Sequence, residues 1–154
     1  MCNELCITFI SLNLNPLKIM EKGILIDVVK RSVTEVMVTK DENGSSLPSM
    51  YGHLRCEMFE IVDFFEQDDI YVDEEGLYRT ENYDNGFFLF EGMVNPISGN
   101  GLILGIDHET GESKDTTLSV EYIREKVKFL TFIPTPKNNG FFFEWNKDCV
   151  TESK

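Results

Sequence analysis

Several chemistries have little to work with in this sequence. Its 154 residues include two histidines, four cysteines and one tryptophan. Cys2, Cys6, Cys56 and Cys149 form no C-x-x-C pair, so neither zinc-finger spacing nor a disulfide framework is present, and free reduced thiols are expected. No G-x-S-x-G surrounds a serine, and no glycine-rich loop carries the lysine of a phosphate cradle. His108 sits among acids in a wet turn and His53 beside a short helical stretch, so both read as surface or packing histidines rather than as bases. No apolar run reaches the ~20 residues of a membrane helix. Glu4 stands where a secretory leader would be basic. The expectation is a cytoplasmic, non-enzymatic protein with no membrane contact, no cofactor and no metal.

Positive charge is scarcest in the middle. The chain has 14 Lys and Arg against 27 Asp and Glu, a net charge of −13. Residues 1–55 balance, six acids against six bases, and residues 92–154 carry nine against seven. Residues 56–91 hold twelve acids and a single base, Arg79, for a net of −11. Such a segment repels phosphates, so direct nucleic-acid binding is not expected. It attracts basic surfaces and speeds encounter with them; net charge also keeps a small domain soluble. The carboxylates singled out for partner binding are Glu66, Asp68, Asp69, Asp73, Glu74, Glu75, Glu81 and Asp84.

What is present suffices for a core. Hydrophobic residues make up 42%, with twelve Phe, in a length that suits one domain. Residues 1–19 read as an extension with a possible strand at Cys6–Ile10, broken at Asn15-Pro16. An acidic α+β domain is expected over 20–133, and a strand and polar tail over 134–154. Ile24–Val29 is an apolar run of strand length, and Val33–Thr39 is rich in β-branched residues. Leu47–Leu54 reads as a short helix with Pro48 in its first turn. Ile70–Tyr78 reads as a hairpin whose turn, Asp73-Glu74-Glu75-Gly76, closes on a left-handed glycine. A Ca²⁺ loop there is the weaker reading, because nothing completes the ligand pattern beyond Asp73, Glu75 and Gly76. Thr80–Gly86 reads as turn-rich, Phe87–Phe90 and Leu102–Ile106 as buried strands. Ser119 caps a helix to about Lys128, with Val120, Ile123 and Val127 on one face. Phe129–Ile133 and Phe141–Trp145 read as strands, the last at an edge. The fold class expected is α+β: a mixed or mainly antiparallel sheet of short strands with about two helices on one face.

Several of these pieces, in order, resemble the family catalogued as domain of unknown function 3846, found in phages, plasmids and bacteria. They are Gly23–Asp27, Val33–Val36, Tyr71–Leu77, Asn95–Gly105, the turn Asp107–Ser113 and Ser119–Leu130. The resemblance covers about residues 22–132. It transfers no catalytic residue. It implies a mobile-element context, in which small acidic proteins often counter host defences. The resulting expectation is an accessory protein whose acidic face binds a basic host protein such as a nuclease, as an anti-defence inhibitor or nucleic-acid mimic. The alternative is a nucleotide-binding module or sponge, with its site at Ser98, Gly99, Asn100 and Gly101 beside Phe88 or Tyr83. The sequence leaves the oligomeric state open.

Overall fold

Apolar and β-branched runs become strands wherever a neighbouring strand is there to pair them. The computed structural model describes residues 20–62, 65–137 and 139–145, so the extension expected at 1–19 lies outside the described residues. The first half of the chain forms β1 (Met20–Asp27), β2 (Ser32–Thr39), α1 (Leu47–Leu54), β3 (Phe59–Val62), β4 (Asp68–Asp73) and α2 (Thr80–Asn85). The second half forms β5 (Phe87–Phe90), β6 (Ile97–Ser98), β7 (Gly101–Ile106), β8 (Ser113–Lys114), α3 (Val120–Lys126), β9 (Val127–Pro134) and β10 (Gly140–Glu144).

The larger sheet is built from two local hairpins and one distant strand. β1 pairs with β2, and β3 with β4, each antiparallel. β7 inserts between them, antiparallel to both, giving the order β2-β1-β7-β4-β3, with β8 on the end of β7. The smaller sheet runs β10-β9-β5-β6, also antiparallel throughout. The fold is therefore α+β, with two antiparallel sheets and three helices among the described residues.

Strand side chains alternate between faces, and the larger sheet is covered on both. Ile24, Ile26, Ile70, Val72 and Ile103 point to one side, where they meet Phe88 and Phe90 of the smaller sheet, Val127 of β9 and Ile123 of α3. Tyr71, Leu102 and Leu104 point to the other, under Met50 and Leu54 of α1. The helices α1 and α3 thus serve opposite faces, where a shared face was expected. Pro48 sits in the first turn of α1. Ser119 caps α3, its side chain accepting from Tyr122 N–H at 3.1 Å.

The hairpin expected at Ile70–Tyr78 does not form. β4 already pairs with β3 on one edge and β7 on the other, so no edge remains for Leu77 and Tyr78. The chain instead turns through 74–79 into α2, and Tyr78 stands 86% exposed. Gly76 is not left-handed. It is buried and admits no side chain: a Cβ there would stand 2.9 Å from the Ser98 carbonyl oxygen. Close approach of two backbones, rather than a positive φ, calls for glycine.

Candidate functional site

The eight singled-out carboxylates do not form one face. Asp68 and Asp73 are 1% and 6% exposed, and both work inside the fold. Asp68 Oδ1 accepts from Thr116 Oγ1 at 2.6 Å and from Thr117 N–H at 2.9 Å, and Thr117 Oγ1 donates to its other oxygen. Asp73 Oδ1 accepts from Glu75 N–H at 3.0 Å, and its Oδ2 lies 2.9 Å from Arg79 Nε. Buried acids persist where donors or cations offset desolvation: Asp68 has three donors, and Asp73 has a donor and the Arg79 cation. Asp69 is half-buried, and the Glu81 side chain lies outside the described residues. Glu66, Glu74, Glu75 and Asp84 are exposed.

Strand length splits the exposed acids. β4 alone separates its ends by ~17 Å at about 3.4 Å per residue. Glu66 lies at the start, where His108 Nε2 contacts its carbonyl oxygen at 3.0 Å. Glu74 and Glu75 lie at the finish, and there they gain neighbours that the sequence reading passed over. Phe59 pairs with Asp73 and Glu60 with Val72, while Glu74 N–H donates to the Met58 carbonyl at 3.2 Å. Glu57, Glu60, Glu74 and Glu75 therefore rim one end of the sheet's β3 edge, all exposed. Met58, Ile61, Leu77 and Tyr78 are also exposed, with Glu60 on the Val72 face of the sheet and Ile61 on the Tyr71 face. Arg79 pairs with Glu75 at 3.4 Å.

The glycine-rich Ser98–Gly101 stretch is largely occupied by the fold. Ser98 Oγ donates to the Gly76 carbonyl at 2.9 Å. Asn100 accepts from Val28 N–H and donates to the His53 carbonyl, each at 3.1 Å. Gly101 lies against the Phe88 ring, where a Cβ would stand 2.7 Å from Cζ. Phe88 is fully buried, so it offers no stacking face, while Tyr83 packs edge-on against Phe87 and Phe132.

Gly99 and Asn100 do reach a cavity of about 230 Å³. Its other walls come from Val28 and Val29 after β1, Leu54 and Arg55 at the end of α1, Asp73 and Arg79 after β4, and Asn85 ending α2. Arg55 is held in the left-handed region, φ 58° and ψ 43°, as the C-cap of α1. Its guanidinium is more than half exposed and 3.6 Å from Asp27 Oδ2. Arg79 Nε is buried; the 2.9 Å approach to Asp73 is an ion pair without an aligned hydrogen bond, which leaves that N–H unsatisfied. Arg79 was the visible signal, as the lone base among twelve acids.

Cys56 follows Arg55 in the chain and is buried. Burial, with the Asp73 charge adding and Arg79 opposing, pushes its thiol up to about 11, so it stays protonated at neutral pH.

No curated protein and no solved structure matches the chain. A family model described as domain of unknown function (DUF3846) matches residues 20–128, from the first residue of β1 to the second of β9. With well over half its length inside that match, the chain belongs to the domain of unknown function 3846 family.

Proposed function

We propose that this is a non-enzymatic binding protein that docks through the β3 rim onto a basic surface of a partner protein. The observation that carries the reading is the make-up of this end of the sheet: exposed Glu57, Glu60, Glu74 and Glu75 within segments that also expose Met58, Ile61, Leu77 and Tyr78. Apolar area supplies affinity, while surrounding charge steers encounter and selects the sign of the partner. On this reading the protein is an accessory factor of a phage or mobile element, acting in the host cytoplasm on a defence enzyme such as a nuclease.

Magnitude decides between two versions. Four carboxylates carry the charge of about 7 Å of duplex at ~1.7 Å per charge, or roughly two base pairs. That matches a local basic patch better than a whole nucleic-acid channel, so a charged contact is favoured over full duplex mimicry.

The test is titration of a purified host nuclease with the full chain at 50 and at 500 mM salt. Affinity is expected to fall at high salt and to be lost when all four rim glutamates become glutamine. Binding that ignores both salt and the fourfold substitution sinks the reading.

A further inference from the structure

Within a strongly acidic protein, one cavity brings two arginines to its walls. Its acids are already engaged. Asp27 accepts from Val29 and Lys30 N–H, both at 3.0 Å, and lies beside Arg55; Asp73 is taken by Glu75 N–H and Arg79. Each arginine keeps N–H groups beyond those pairs, because a guanidinium carries five: Arg55 meets Asp27 through Nη2, Arg79 meets Asp73 and Glu75 through Nε and Nη2, and the Asn85 side chain stands at the wall.

We infer that this cavity binds the oxyanion of a small molecule, a phosphate or a carboxylate, between the Arg55 and Arg79 guanidiniums. Planar guanidinium forks match two oxygens of either group at once. Walls drawn from five chain segments fix the two arginines relative to each other. Size narrows the ligand. At about 230 Å³ the cavity is below the roughly 300–1,000 Å³ of pockets for drug-sized ligands. The ligand is therefore smaller than a whole nucleotide, which replaces the nucleotide-sponge expectation with a more compact anion. The Arg55 arm of this inference does not depend on the rim reading, whereas Arg79 is shared with it through Glu75.

Calorimetric titration of the full chain with inorganic phosphate, and separately with acetate, at constant ionic strength tests it. Saturable binding of one or both is expected, and the responding probe identifies the oxyanion class. Arg55→Gln is expected to weaken it at least tenfold, and circular dichroism of the variant separates that loss from any cost of removing the cation beside Asp27. Arg79→Lys, which keeps the charge beside Asp73, is expected to weaken phosphate binding as well. Phosphate also stabilises proteins by exclusion from their surface. A non-saturating stabilisation of the same size in both variants, or no heat from either probe, overturns the inference.

Discussion

The two sheets solve the same problem with different material. The larger is aliphatic at its centre and covered on both faces, by α1 on one side and by α3 and the smaller sheet on the other. Its buried polar groups are matched. Glu21, 2% exposed, pairs with Lys40 at 3.0 Å and accepts from Ser113 Oγ at 2.7 Å, and Asp68 is held by Thr116 and Thr117. The smaller sheet is aromatic. Phe87, Phe132 and Phe142 meet edge to face at 5.0–5.4 Å, and every residue of β10 is exposed. The family match contains the whole of the larger sheet and stops two residues into β9. A cover on both faces dictates nearly every inward residue of the larger sheet, whereas the smaller sheet tapers from buried β5, with Tyr83 of α2 against Phe87, to wholly exposed β10.

The contrast breaks most easily where the sheets touch. Phe88→Ala removes a fully buried ring from the shared core and is expected to cost about 3–5 kcal/mol, measured as a lowered urea midpoint. A loss under 1 kcal/mol would mean that the sheets fold independently.

A smaller effect is expected in alkali, and it belongs to the larger sheet alone. Burial, then the charges of Asp69 and Glu21, push the Tyr71 hydroxyl up to about 12. Its folded value is raised, so its contribution is fully present below the unfolded value of about 10 and is lost as pH rises towards about 12. Cys56 acts the same way from about 9 to about 11. Stability should therefore decline from about pH 9 upward, and Tyr71→Phe should flatten the upper part of that decline. An unchanged slope in the variant would show that the hydroxyl is hydrated.

The smallest effect is expected at the outer edge. Phe143 is half exposed, so Phe143→Ala should lower stability by less than ~1 kcal/mol. A larger loss would make β10 as integral as the central strands.

What was legible in the sequence divides along a similar line. Local signals read true: Pro48 opening α1, Ser119 capping α3, Leu102–Ile106 as a buried strand and Phe141–Trp145 as an edge. One failure was local, since the polar run Thr80–Gly86 read as turn-rich and forms α2 over Thr80–Asn85; the others were of pairing at a distance. A glycine-terminated acidic turn looks like a hairpin until β4 is found with both edges taken. Asp68 looks like surface until Thr116 and Thr117, nearly fifty residues on, supply its donors. The cavity was out of reach because its walls are brought together by topology, with only Gly99 and Asn100 falling inside the stretch that drew notice.

The position of β7 also governs the order in which the chain can assemble during synthesis. A nascent chain that has emerged as far as residue 90 offers two hairpins, β1–β2 and β3–β4, without the strand that joins them. Until Gly101–Ile106 emerges, each nascent ribbon offers an unpaired backbone to its neighbours, the condition under which chains stick to one another. A truncation ending ahead of that segment should therefore clump, while one ending past α3 retains every strand of the larger sheet.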